Sequence, residues 1–414
     1  MIFSNLDLRE WRQFANIDID FHPRLTIVAG ANGAGKSTIL RLLSQHFGLQ
    51  NSLLATPTIT KAGIRRYLAG VFSFGRSDPE PQSRRTVGSL LYTDGERTEL
   101  VVSNDEQITY SVQMPGMRSV PGLFINSHRP VSGYQAISSI PANAITVEQA
   151  YQMYNQEVQS KYNNAYTPFS PTYRIKEAIV SMATFGPGNR NVQKNVILDQ
   201  TYEDFKEMLR KVLPPSIGFR DINVRIPDVV LVTDSGDFVL DAASGGLMAL
   251  VDLAWQMFLY SRGKEEFVTV IDEPENHLHP SMQRTIIPSL LSAFPTTQLI
   301  VATHSPFIVS SVRDSSVYVL RYANEKKGMV NNSVYSQRLD NIDKAASASD
   351  ILRSVLGVPI TLPLWAEEKV ERIASNFKLD RLDSEAIANI RVQLEAAGLG
   401  DYYSDVLSRM ALKR

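Results

Sequence analysis

The sequence predicts an α/β fold: a mostly parallel sheet with an antiparallel β subdomain and a helical insertion. Three observations predict it. Val28–Leu40, VAGANGAGKSTIL, joins an apolar strand to an amphipathic helix through a glycine-rich turn. Phe267–Asp272 and Gln298–Thr303 are short, mostly apolar and β-branched, as strands buried on both faces must be. Between the N-terminal strands and these two, at about 145–213, the chain turns polar, tyrosine-rich and helical in texture.

The first element is the strand Leu25–Ala29. After Lys36 the apolar positions Ile39, Leu42, Leu43 and Phe47 mark one face of a helix. Gly30–Ser37 between them fits G-x-x-x-x-G-K-[ST] at every position. Such a loop, here Gly30, Ala31, Asn32, Gly33, Ala34, Gly35, Lys36, Ser37 and Thr38, wraps backbone N–H groups around a phosphate, and the helix N-terminus adds its positive dipole end. In this pattern Lys36 reaches the β- and γ-phosphates and the Ser37 hydroxyl ligates Mg²⁺.

The next elements are short β-like runs at about 67–126. Leu90–Val102 reads as a hairpin turning at Asp94–Gly95, and Asp228–Leu240 as another turning at Ser235–Gly236. In Phe267–Glu275 an apolar strand ends on Asp272, at the carboxyl edge where open α/β sheets bind ligands. Asp272 is therefore the candidate metal carboxylate. Glu273, the next residue, is a candidate to orient or deprotonate an attacking water. In Ala242–Phe258, Ser244 occupies an N-cap position, and Gly245 and Gly246 leave the helix start bare, a second terminus able to accept an anion. His304 comes after the strand Gln298–Thr303 in a Ser-Pro turn, within reach of a γ-phosphate. His277 and His279, with Glu275 close by, are read as part of a strand-to-helix loop rather than as metal ligands.

Taken in order, these motifs resemble the ABC-type ATPase head, in the branch that holds RecF, SMC-like heads and the OLD-type and Septu-type defence ATPases. The opening Leu6–Thr38 resembles the first strands of that branch, and Ile271–Pro280 resembles its hydrolysis strand and D-loop. The resemblance implies a P-loop NTPase fold of ABC-head type over 1–345, interrupted by the insertion at about 145–213, with 346–414 as a C-terminal helical extension. It also implies that two heads sandwich ATP and Mg²⁺. Each ATP would lie on Gly30–Thr38 of one chain and meet Ser244, Gly245 and Gly246 of the other, with Asp272 and Glu273 acting in cis and His304 sensing the γ-phosphate. Arg129 and Gln135 are candidates for the Gln-bearing loop of such heads.

The remaining features bound the partners. Formal net charge is -1 over 414 residues, so no global basic field announces nucleic acid, although DNA remains open as a partner. The absence of cysteine excludes disulfides and thiolate chemistry. The opening MIFSNLDLRE carries acids and no long apolar core, and no stretch approaches the ~20 apolar residues of a membrane span, so a cytoplasmic protein without a membrane partner is expected. The segment between the motifs lacks heptads, so no long coiled-coil arm is expected. In the tail, Val370, Ile373 and Phe377 recur at helical spacing, as do Ile387, Ile390 and Leu394. The resemblance also implies a separately encoded effector, with which compact heads in those families usually pair. The leading expectation is thus an ATP-hydrolysing switch that forms a homodimer or higher homo-oligomer through ATP and controls a nuclease or toxin in phage defence. The alternatives are a RecF-like DNA-repair ATPase and a non-hydrolysing, nucleotide-gated scaffold.

Overall fold

The computed structural model describes residues 1–59, 65–68, 84–103, 108–128, 133–323, 333–357, 364–375, 377, 384–403 and 406. The chain divides into two compact units, Met1–Ile351 and Leu352–Arg414.

The first unit is built on one eleven-stranded sheet. One half is parallel, in the order Gly122–Ile125, Phe267–Asp272, Thr297–Thr303, Leu25–Gly30, Ser316–Tyr322. The three central strands of this half are buried along their whole length, which is why they read as continuous apolar runs rather than alternating ones. Register aligns their ends. Asp272 pairs with Ala302, and Ala302 and Thr303 pair with Val28 and Ala29. The carboxyl ends of all three strands therefore reach one level, and the residues just beyond them share one edge.

The sheet continues through Val334–Arg338 and Phe14–Asp20 into an antiparallel half of Phe3–Trp11, Arg84–Tyr92, Arg97–Ser103 and Val112–Gln113. The antiparallel β region is thus continuous with the parallel strands. One core joins the two halves: Phe3, Leu6, Leu8, Trp11, Phe14 and Ile17 pack with Ile39, Leu40, Leu42 and Leu43 of the helix Lys36–Ser44. Burying each of those four helix residues contributes about 2 kcal/mol.

That helix is shorter than its apolar spacing predicts. It stops at Ser44, whose hydroxyl donates to the Arg41 carbonyl (2.9 Å) while Asn51 donates to both, so side chains take over the last turn. Phe47 falls in a tighter turn, Gln45–Phe47, and its ring fills the space beside Gly122. The hairpin Asp228–Val239 also differs in detail: Thr233 pairs with Gly236, so the turn is Asp234–Ser235, one residue earlier than the sequence suggests.

Three helices, Val147–Tyr162, Pro171–Phe185 and Val196–Val212, occupy the predicted insertion. Each opens on a side-chain cap, Thr146, Ser170 and Asn195 respectively. They dock on the helix Gly245–Ser261 through an edge-to-face contact of Phe205 with Trp255, 4.8 Å between ring centres. In the second unit, Ala366, Val370, Ile373, Ile390 and Leu394 form a small core of the helices Leu364–Ser375 and Ser384–Ala396, while Ile387 is exposed. Among the described residues, no helix is long and apolar enough to cross a membrane.

Candidate functional site

The glycine turn leaves the strand at Gly30, and its helix begins at Lys36 with no side-chain cap. Its first N–H groups are thus available to an anion. Gly35 is the fixed point. It has φ 99°, and a Cβ there would fall inside the ring of Phe14 and on the side-chain amide of Gln13. The turn between the first two strands therefore presses on the loop, and Gln13 Nε2 donates to the Gly33 carbonyl (3.4 Å). Ala31, Asn32 and Gly33 are exposed, whereas Lys36 is buried.

The Lys36 ammonium donates to the carbonyls of Gly30 (2.9 Å) and Ala31 (3.2 Å). Burial lowers its pKa, opposed by the charges of Glu273, Asp272 and Glu275. Asp272 lies beyond this cation and is itself buried. Desolvation raises its pKa, and a hydrogen bond from Ser37 works the other way. Its Oδ1 has no hydrogen-bond partner. A buried carboxylate oxygen left unpaired beside a hydroxyl is the donor set a hard cation takes, so Ser37 and Asp272 fit a Mg²⁺. When bound there, the cation would supply charge neutralisation at the β- and γ-phosphates.

Glu273 turns the chain out of the strand through a left-handed conformation, φ 48°, a geometry that costs about 1–2 kcal/mol for a residue with a Cβ. Its N–H still donates to Ala302 (2.9 Å), so the bend is anchored. Both carboxylate oxygens are held: Oε1 lies 3.2 Å from His304 Nδ1, and Oε2 accepts from Asn276 Nδ2 at 3.1 Å. The same Asn276 amide donates to the carbonyl of Ser127 (3.1 Å), which ties the turn to the loop after Gly122–Ile125.

A third carboxylate completes the cluster. Glu275 is buried, and its Oε1 accepts from the Thr303 hydroxyl (2.5 Å) and the His304 N–H (2.9 Å), and lies 3.5 Å from His304 Nδ1. Its Oε2 has no partner. Motif spacing misses Asn276 and gives Glu275 no role in the phosphate chemistry. The available signal is the run Asp272–Asn276, DEPEN, in which a second acid and an amide come within one turn of the catalytic candidate.

Gly30–Thr38, Asp272, Glu273 and His304 thus share one edge. Ser244–Gly246 meets a different neighbour. Ser244 and Gly245 are exposed, and the Ser244 hydroxyl accepts from the N–H of Leu247 (3.3 Å), capping its own helix. A Cβ on Gly246 would come within 2.9 Å of the His277 carbonyl, so this helix start sits against the loop after Glu275. His279 caps the helix Pro280–Ala293 by accepting from the Ser281 N–H (3.3 Å). Gln135 spends its side chain on the insertion, donating to the Pro168 carbonyl (2.8 Å) and accepting from the Ser170 N–H (3.2 Å). Arg129 lies outside the described residues.

A phosphate loop, a hydroxyl–carboxylate pair and a His-braced glutamate on adjacent parallel strands decide the fold. The arrangement is that of a P-loop NTPase fold of the ABC-head type. The family described as "AAA domain, putative AbiEii toxin, Type IV TA system" matches residues 177–310 of the head, and an AAA domain family matches 5–112. The head is similar to the Septu protein PtuA of Bacillus mycoides, with 22% identity across 94% of this chain and 50% of that protein. It is also similar to the probable ATPase of retron Ec83 from Escherichia coli, with 27% identity across 36% of this chain and 29% of that protein. The chain spans half or less of the length of these curated relatives. Among solved structures, an SMC head bound to the C-winged helix domain of ScpA aligns with 82% of this chain and 98% of its own, at 16% identity and a TM-score of 0.47.

Proposed function

We propose that this chain binds ATP with Mg²⁺ on Gly30–Thr38 and hydrolyses it, with Glu273 orienting or deprotonating the attacking water. Two copies close on the nucleotide, each presenting Ser244–Gly246 to the ATP of the other, and the closed dimer holds or releases a separately encoded effector, a nuclease or toxin, in anti-phage defence.

One observation carries the hydrolytic part: the two-sided grip on Glu273 by His304 and Asn276, beside the Ser37–Asp272 pair. A carboxylate fixed at both oxygens has one orientation, and a general base must be held so. His304 braces Glu273 from the end of the next strand and is the candidate to sense the γ-phosphate. The exposed helix start at Gly245, where two glycines carry no side chain, supports the sandwich, because a γ-phosphate between two helix N-termini is a charge-dependent clamp that hydrolysis releases. Similarity to the Septu and retron proteins supports the defence role.

The test is Glu273→Gln. The variant is expected to bind ATP with the parental Kd, to lose hydrolysis by about 10²–10⁴-fold, and to sediment as a dimer with ATP·Mg²⁺. Parental turnover would overturn the role of Glu273. Affinity capture at native expression levels with ATP tests the partner: a copurifying nuclease or toxin is expected, and duplex DNA alone would select a DNA-clamping ATPase.

A further inference from the structure

Away from the phosphate loop lies a buried cation that the ATPase chemistry does not use. Lys176, in the helix Pro171–Phe185 of the insertion, is 0% exposed. Its ammonium donates to Asp241 Oδ2 (2.5 Å) and to the backbone carbonyl of Gln135 (2.5 Å), and lies 3.6 Å from Asp228 Oδ1. Tyr134 closes the cluster, donating to Asp228 Oδ2 (3.1 Å) with its ring 5.2 Å from the ammonium. Asp241 Oδ1 and Asp228 Oδ1 are buried without a hydrogen-bond partner. A cation taken wholly out of water is held by its partners, and each partner depends on it in turn.

The members of this cluster come from segments distant in sequence. Lys176 belongs to the insertion. Gln135 follows Gly122–Ile125 in sequence. Asp228 opens the hairpin, and Asp241 sits in the single turn Leu240–Ala242, three residues before Ser244. Gln135 reinforces the tie with two side-chain bonds to Pro168 and Ser170, at the start of the Lys176 helix.

We propose that Lys176 is a positioning residue. It clasps Asp241 to the Gln135 backbone and to the insertion, and through that clasp sets the placement of Ser244–Gly246. The clasp makes the insertion a lever: a partner that shifts the helix Pro171–Phe185 shifts the helix start offered to a second copy. The consequence for dimer formation rests on the sandwich reading; the placement of Ser244–Gly246 in the monomer does not.

The experiment separates the two. Lys176→Met removes the charge at nearly constant volume, Lys176→Arg retains it, and Asp241→Asn weakens the same tie from its other end. Hydrogen exchange of the monomer without nucleotide reads the clasp directly. Amides at 241–248 are expected to exchange at least ten-fold faster in Lys176→Met and Asp241→Asn, amides of Phe267–Asp272 at the parental rate, and Lys176→Arg to recover part of the protection. Parental exchange at 241–248 in a folded Lys176→Met or Asp241→Asn protein overturns the proposal. So does acceleration spread equally over Phe267–Asp272, which marks plain destabilisation. In the Glu273→Gln background, Lys176→Met is then expected to keep ATP affinity within two-fold while weakening the ATP-dependent dimer at least ten-fold. A Glu273→Gln parent that never dimerises defeats the sandwich reading and leaves the exchange result to judge the clasp.

Discussion

Two helix N-termini in this head do opposite things. The one at Lys36 is enclosed: a glycine turn, a neighbouring hairpin turn, a buried lysine and a buried carboxylate surround it, all from one chain. The one at Gly245 is open, with a serine cap, two glycines and the His277 carbonyl as the nearest neighbour of Gly246. The difference teaches how the proposed composite site would be divided. The enclosed terminus has its chemistry pre-organised. The open one has a position and little else, and its chemistry depends on what approaches it.

The strongest way to break that comparison is Lys36→Ala. The Lys36 ammonium is buried inside the turn and held there by two loop carbonyls. Nucleotide affinity measured by calorimetry is expected to fall at least 100-fold, about 2.7 kcal/mol or more. An affinity unchanged by that substitution would mean that the enclosed terminus is not the nucleotide site.

A smaller effect sharpens the comparison through pH. His46, just beyond the phosphate-loop helix, is held between the Leu43 carbonyl (3.0 Å) and the Tyr92 hydroxyl (2.8 Å), against the edge of Phe3. Burial pushes its pKa down to about 4. A histidine whose folded pKa lies below its unfolded value of about 6.5 stabilises the fold fully above that value, and the stabilisation is lost as pH falls through the folded pKa. Between pH 7 and pH 4.5 this one group is expected to remove about 2 kcal/mol from the stability of the first unit. Denaturant unfolding at the two pH values, on the parent and on His46→Gln, measures it: the variant should lose less on acidification by that amount. An equal loss in both would show that His46 does not titrate on unfolding.

How legible each region is in the sequence depends on the range of its interactions. The positions of Gly30–Ser37, Asp272 and Glu273 at strand ends can be read directly, because residue type and strand-end placement are both local. Glu275 and Asn276 cannot be assigned, because their roles come from pairing in register with Thr303, His304 and Ser127, at the ends of the two strands that flank their own. Phe47 reads as part of the helix because Ser44 and Asn51 end it through side-chain bonds that periodicity does not record. Lys176 looks like one more charge on a polar insertion, since burial of a lysine is a property of the packed molecule. The open terminus shows the same rule from the other side: Ser244 reads as a cap from sequence and is one, while its value to a second copy is nowhere in the chain's own contacts.

Ser244→Ala tests that last point with the smallest expected change. Losing an N-cap hydroxyl costs about 1 kcal/mol, and here the bond is long at 3.3 Å and exposed, so the monomer is expected to lose about 0.5–1 kcal/mol in denaturant unfolding, with ATP affinity unaltered. If the hydroxyl serves only its own helix, the ATP-dependent dimer of the Glu273→Gln protein weakens by no more than that, about five-fold. If it also donates to a nucleotide on a second copy, the dimer weakens further, by the additional loss of a hydrogen bond to a charged group, about 1.5–3 kcal/mol. Sedimentation of the double variant separates the cases, and a drop confined to the smaller figure would leave Gly245 and Gly246, through their bare N–H groups, as the whole of what the open terminus offers.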